Sequence, residues 1–375
     1  MTIEERRELE LKIALIFTKG VTPELVRRLE PSGMSLEEFY SLPPRELHMR
    51  LSLPPHTIEP YQCGEAMARA RREIEFMERH GIRAVYMHDE EYPTGLYETA
   101  RPPIVLFALG DMPLENEHSL AIVGTRRCTP YGLNFCREVV DDLGTYFPDL
   151  CVVSGLAFGI DAAAHEAALE KGVGTIAVVA HGLDTIYPAA HRDLARRIIA
   201  AGGAIVTEYP TGTPSVRSRF LERNRIVACM PSGVLVVESE IKGGSMSTAH
   251  DAFSYGRDVF ALPGRYTDRM STGCNFLIRC NKAAMATGAA DIMEGFGWEP
   301  GGVKVRAKQR NLFPELDGNM KVIYDKLRAI GHPMTIDELH LHTGIPVGQL
   351  MSELAEMEFE GVVLRHPGNR YETVG

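Results

Sequence analysis

No run of about 18 uninterrupted apolar residues occurs in this 375-residue chain, so no membrane-spanning helix is expected. The first residues, MTIEERRELELK, lack the apolar stretch and small-residue cleavage site of a secretory leader, a reading that places the protein in the cytoplasm. Cysteine is sparse: Cys63, Cys128, Cys136, Cys151, Cys229, Cys274 and Cys280 form no CxxC pair. Their odd number and scattered spacing argue against a disulfide framework and a structural zinc site, and suit free thiols. Neither the dinucleotide fingerprint GxGxxG nor the ATPase loop GxxxxGK[ST] is found, so no NAD, ATP or other cofactor is expected. Positive charge is also in deficit. The formal net charge of −10 argues at first against a polyanionic partner.

Charge is unevenly placed, however. Residues 1–118 hold 14 basic and 21 acidic side chains, whereas residues 119–300 hold 17 and 19. A middle region this close to neutrality can still present one basic face, because screening acts over roughly 8 Å at physiological salt.

Length favours two or three domains. Residues 1–85 read as a small helical module, with TPELVRRLEP showing a threonine cap and a proline at the first helical position. Residues 86–295 open on the strand PPIVLFALGD. They continue with AIVG, CVVSG, TIAVVA, GAIVTE, GVLVVES and DVFALPG, each followed by a glycine-bearing loop and a helical stretch. Continuous apolar strands alternating with helices predict an α/β, doubly wound, mostly parallel, Rossmann-like sheet. Residues 296–316 read as a linker rich in Gly, Pro and basic residues. Residues 317–375 read as a winged helix: a helix, a capped TIDELHLHTG helix, the helix VGQLMSELAEMEFEG and a two-strand wing with PGN at its tip.

A doubly wound sheet binds ligands beyond the carboxyl ends of its strands, so the loops there carry the functional reading. In GTRRCTPYG, two consecutive arginines, Arg126 and Arg127, follow Gly124 and Thr125. RSRFLERNR places Arg217, Arg219, Arg223 and Arg225 around Phe220, with Asn224 among them. Four arginines in nine residues cannot share one helix face, so some are expected to contact the sheet or to pair with Glu222. In KGGSMST, Gly243 and Gly244 permit close backbone approach to an anion, and Ser245 is positioned to cap a helix. Arginines and glycine turns favour phosphate, and the interleaved aromatics favour unpaired bases.

Catalytic candidates are weaker. Asp161 and His165 in GIDAAAH lie four apart on one helix face, as an acid–base pair would. The preferred reading is structural, with Asp161 capping the helix and His165 packing beneath it. His181 and Asp184 have no nucleophile nearby in sequence, and Glu238 and Glu240 lack the acidic partners of metal-assisted hydrolysis. No catalytic set and no metal site emerge.

VGTRR, SGLAFGIDAAAH, FLERNRI, KGGSMSTA, LPG and GCNFLI, in this order, resemble the DNA processing protein A family, also called Smf. The resemblance covers nearly the whole chain. It implies a non-catalytic protein that binds and protects single-stranded DNA entering during natural transformation, helps load the RecA recombinase, and acts as a dimer. Carried over by position, the DNA pocket falls on Gly124, Thr125, Arg126, Arg217, Phe220, Gly244 and Ser245, with Arg127 turned to structure. Arg219, Asn224, Arg225 and Gly243 belong to the same motifs. Many relatives have a basic residue in the middle of SGLAxGID; this chain has Phe158, so stacking on a base would replace a phosphate contact there. The family's dimer surface corresponds to Asn275–Ala283, with Leu277 and Ile278 as its apolar contacts.

The second helix of the winged segment offers Gln349, Ser352, Glu353, Glu356, Glu358 and Glu360 but no lysine or arginine, so binding to duplex DNA is not expected of it. The alternative for the whole chain is a nucleotide phosphoribohydrolase, which shares the sheet architecture. That family needs PGGxGTxxE, where this chain has GGSMSTAHD without the glutamate.

Overall fold

In a computed structural model of the chain, the apolar runs become strands of one nine-stranded sheet. Residues 2–29, 31–52, 64–299, 318–330, 332–359, 362–366 and 370–373 are described. The chain divides into two units, Met1–Gly301 and Gly302–Gly375.

The strands of the first unit are β1 (Ile82–Tyr86), β2 (Val105–Leu109), β3 (Ser119–Val123), β4 (Cys151–Ser154), β5 (Gly174–Val178), β6 (Ala204–Thr207), β7 (Gly233–Val236), β8 (Asp258–Ala261) and β9 (Ala284–Met285). Their order across the sheet is β1-β2-β6-β5-β4-β3-β7-β8-β9. From β6 to β9 every pairing is parallel, and the β1–β2 and β2–β6 pairings are antiparallel. The strands of the parallel core are mostly apolar because helices cover both faces. All five residues of β3 and all four of β4 and β7 are buried. Burying each such aliphatic side chain contributes roughly 1.5–3 kcal/mol.

One face packs on the N-terminal helices and on the Arg217–Cys229 and Ser245–Ser254 helices; the other packs on the Pro130–Tyr146, Ile160–Lys171 and Ala289–Phe296 helices. The N-terminal helices thus share a core with the sheet, through residues such as Leu11, Ile74, Leu106 and Val206. Ile82–Val85, assigned from sequence to the end of a helical module, instead belong to the edge strand Ile82–Tyr86 of this sheet, paired with β2 from Ile82↔Leu109 to Tyr86↔Val105. Phe296 and Trp298, assigned to the linker, belong to the other face: their rings stack at 4.5 Å, and Trp298 meets Phe147 edge-on. Large aromatic area outweighed the local glycine signal there.

The second unit contains the helices Gly318–Ile330, Ile336–Thr343 and Val347–Phe359 around a core of Ile323, Leu327, Leu339, Leu350, Leu354 and Met357. Thr335 and Glu338 form a capping box at the start of the second helix. The two-strand wing is present as β11 (Val363–His366) and β12 (Arg370–Thr373), and a third short strand, β10 (Met334–Thr335), joins it by pairing with β12 among the described residues. The tip Pro367–Asn369 and the greater part of the 296–316 linker lie outside the described residues.

Candidate nucleic-acid interface

The chain leaves the sheet centre in both directions from β3: β4 lies on one side and β7 on the other. Loops on either side of such a reversal splay apart and leave a crevice at the carboxyl ends of the strands. Here the crevice is a cleft of about 810 Å³. Its walls come from Val123–Arg126 after β3, Gly155 and Ala157 after β4, Ser239–Thr248 after β7, and the first half of the Arg217–Cys229 helix.

Three loops interlock to shape it. Thr125 N–H donates to the Glu238 carbonyl at 2.6 Å, and Ile160 N–H donates to the Thr125 carbonyl at 3.2 Å. Gly159 has φ +81° and lies so near this crossing that a Cβ would fall 2.3 Å from the Thr125 carbonyl oxygen. Only glycine fits there. Glu238, 2% exposed, accepts from Thr129 N–H at 2.8 Å and from its hydroxyl at 2.6 Å, which fixes the start of the Pro130–Tyr146 helix. Its role is therefore structural.

The structure sorts the arginines by task. Arg126 and Arg217 are exposed on the cleft wall, Lys242 joins them from the β7 loop, and the half-buried Phe220 lines the same cleft. Arg223 is 4% exposed at the base of the cleft, with Nη1 donating to the Gly155 carbonyl at 2.7 Å and to the Val178 carbonyl. It is the arginine that contacts the sheet. Arg225 pairs with Glu208, and Arg219 donates to the Pro214 carbonyl and lies over the Tyr209 ring at 5.5 Å. Glu222 accepts from the Tyr209 hydroxyl at 2.8 Å instead of pairing with an arginine. A helix places side chains two apart on nearly opposite sides, so Arg217 and Arg219, and again Arg223 and Arg225, diverge.

Gly124, Thr125, Arg126, Arg217, Phe220, Asn224, Gly243, Gly244 and Ser245 line one cleft, as the sequence motifs imply; Arg219 and Arg225 do not line it. Asn224 Nδ2 donates to Ser247 Oγ at 3.0 Å and so ties two walls together. Ser245 does not cap its helix. Gly244 occupies the cap position, and the Ser245 hydroxyl donates to Ser239 Oγ at 2.8 Å. Arg127 is exposed outside the cleft rather than engaged in structure. Phe158, 46% exposed, is not on the cleft wall and packs edge-on against His191 at 4.7 Å. Leu277 is 3% exposed in the core and Ile278 is half-buried beside it, so Leu277 offers no surface to a partner. Arg223 and Lys242 are cleft residues that motif reading passed over. The lysine before the glycines was the available signal for one of them.

Asp161 and His165 form no acid–base pair. The helix cap position is Gly159, and Asp161 accepts from the backbone N–H groups of Gly155 and Ala157 while facing Arg223. Burial raises the Asp161 pKa, against the opposing pull of that guanidinium. His165 is fully buried, with Nδ1 2.7 Å from Thr175 Oγ1, and burial lowers its pKa to about 3. It is neutral at physiological pH. His181 accepts from Tyr187 N–H through Nε2, and Asp184 accepts from Gly212 N–H, so both order loops. Among the described residues there is no cluster of His, Cys, Asp or Glu fit to hold a metal ion.

Residues 83–297 match the model of the DNA recombination-mediator protein A family, and residues 314–369 match that of the DprA winged helix domain. The chain is 37% identical over 307 residues to a putative DNA processing protein DprA of Mycobacterium tuberculosis, covering 78% of each chain. It is 32% identical over 346 residues to protein Smf of Escherichia coli, covering 91% of this chain and 85% of that one. Among solved structures, DNA processing protein A of Streptococcus pneumoniae superposes with a TM-score of 0.63 at 30% identity, over 80% of this chain and all of that one. That of Helicobacter pylori, described for its single-stranded DNA binding mode, superposes with a TM-score of 0.52 at 30% identity, over 59% of this chain and 97% of that one. With its cleft at the sheet's point of reversal and family matches across both units, the chain belongs to the DNA recombination-mediator protein A family, the DprA/Smf proteins.

Proposed function

We propose that the cleft binds single-stranded DNA. The observation that carries this reading is that Arg126, Arg217 and Lys242 line one cleft together with the half-buried Phe220 ring, on a chain whose net charge is −10. Guanidinium and ammonium groups neutralise phosphates, and a ring among them gives an unpaired base a face to stack on. A duplex keeps its bases inside and gains nothing from that ring. The Helicobacter pylori relative supports the same ligand. Gly244, where a side chain would meet open space, lets the backbone come close to the strand, whereas Gly124 and Gly243 are small because Ile160 and Ser239 pack against them.

The protein acts by binding rather than by catalysis, since the buried acids and histidines around the cleft hold loops in place. Its role is to protect incoming single strands during natural transformation, in the cytoplasm, and to hand them to the RecA recombinase. A dimer would place two clefts on one assembly and raise affinity through linked binding. With Leu277 in the core, the exposed Phe253 and Met285, in the helix before β8 and in the edge strand β9, are the better candidates for its contacts.

Titration with a labelled oligo-dT and with a duplex of equal length, each at two salt concentrations, tests the reading. Tighter, salt-sensitive binding of the single strand is expected, and equal or absent binding of both defeats it. Release of free base from nucleoside monophosphates would turn the assignment toward a phosphoribohydrolase.

A further inference from the structure

The loop 208–216, between β6 and the helix that bears Arg217 and Phe220, is anchored from outside the cleft. Glu73, 5% exposed on the N-terminal Gly64–His80 helix, accepts from the Thr211 backbone N–H at 3.0 and 3.2 Å on its two oxygens, and from the Thr211 hydroxyl at 2.7 Å. The neighbouring residues are each held by one further hydrogen bond. Gly212 N–H donates to Asp184 Oδ1 at 3.0 Å, and the Thr213 carbonyl accepts from Gly182 N–H at 3.1 Å. Beyond them, Ser215 and Arg217 line the cleft.

A buried carboxylate is costly, and burial raises the Glu73 pKa. An apolar side chain would fill the same space on the helix without that cost. What Glu73 adds is direction: three hydrogen bonds to a single residue of a loop that is otherwise part-exposed.

We propose that Glu73 is a positioning residue for the cleft: through Thr211 it pre-orders the loop that presents Arg217 and Phe220. This gives the N-terminal helices a part in DNA binding without contact with DNA, and it rests on the single-stranded DNA reading above. An unanchored loop must be ordered when the strand binds, and that ordering entropy is subtracted from affinity.

The sign of the effect separates positioning from charge. Removing a carboxylate near a polyanion site strengthens binding if electrostatics alone act. Positioning requires the reverse for Glu73→Ala, a loss of roughly three- to tenfold in oligo-dT affinity, with the salt slope unchanged because no phosphate contact is lost. Glu73→Gln keeps an acceptor for Thr211 and is expected to bind as tightly as wild type or slightly more so. Thr211→Val, on the loop side, removes the hydroxyl bond and keeps the backbone N–H bonds, so it should show a smaller loss in the same direction even if Glu73→Ala folds poorly. The double variant should cost no more than the larger single one. Affinity unchanged or increased in both Glu73→Ala and Thr211→Val, with only the melting temperature lowered, would reduce Glu73 to a structural residue. Failure of the wild-type protein to bind oligo-dT would instead remove the DNA reading itself.

Discussion

The Phe220 ring centroid lies 5.8 Å from the Arg126 guanidinium and 5.9 Å from that of Arg223. One cation is exposed and the other buried, so the ring stands between the cleft wall and its base. Phe220→Ala removes the stacking surface and leaves the phosphate contacts. Oligo-dT affinity should fall by about 1–3 kcal/mol, with the salt slope preserved. Fluorescence anisotropy at several salt concentrations measures both quantities together.

Arg126→Ala and Arg217→Ala should behave differently from that variant. If the proposed cleft holds the strand, each removes an exposed phosphate contact, so affinity drops for all sequences and the salt slope becomes shallower by roughly one unit per residue. Melting temperatures should stay near wild type because both side chains are exposed. If both variants retain the wild-type slope, the cleft is not where the backbone of the strand lies.

Arg225→Ala serves as the contrast within the same helix. Its partner Glu208 is partly buried, and burial already raises the Glu208 pKa against the pull of this arginine. Removing Arg225 leaves that carboxyl unpaired, so the melting temperature should fall while the salt slope stays as in wild type. A loss of salt dependence in this variant would show that the arginine reaches DNA in spite of its pairing.

Arg223→Met tests the base of the cleft. Loss of a buried guanidinium that holds two carbonyls and faces Asp161 should destabilise the fold by about 3–5 kcal/mol, read from urea unfolding. Wild-type stability in Arg223→Met would mean that the buried cation serves the ligand and not the sheet.

His165 sets a pH dependence. Thr175 Oγ1 donates to the Val152 carbonyl, so the His165 Nδ1–H donates to Thr175 and the ring is neutral. Its folded pKa, lowered to about 3, lies below the ordinary 6.5 of the unfolded chain. Below about pH 6.5 the unfolded state takes up a proton that the folded state refuses, so this contribution is complete above that pH and is lost as pH falls toward 3. The slope is about 1.4 kcal/mol per pH unit for one proton. Urea unfolding at about pH 7 and pH 5 should show it, and His165→Gln should flatten it. An unchanged slope in the variant would assign the effect to other groups.

Much of the site was legible in advance because it is built from local signals. Apolar runs of strand length that alternate with helices dictate a parallel sheet, and a parallel sheet puts its ligand loops at one end. Glycines, hydroxyls and arginines in those loops mark an anion site whatever their distant partners are. The edge strand Ile82–Tyr86 was hidden because IRAVY closely follows a helix and pairs with β2, from Tyr86↔Val105 to Ile82↔Leu109, across an intervening loop and helix. Phe296 and Trp298 were misplaced for a similar reason: their glycine-rich context spoke locally, while their partners Phe147 and Phe260 lie elsewhere in the chain.

The sequence by itself determined the architecture and the chemical character of the cleft, since hydrophobic period and loop composition act over a few residues. Which arginine faces the cleft was decided only by tertiary structure. Arg217, Arg219, Arg223 and Arg225 are chemically identical, and their tasks differ because Tyr209, Gly155, Val178 and Glu208 arrive from other strands and loops. The grip of Glu73 on Thr211 spans 138 positions of chain and leaves no local trace. Long-range pairing of buried polar groups is a property of the packed fold, because only there are water's competing hydrogen bonds removed.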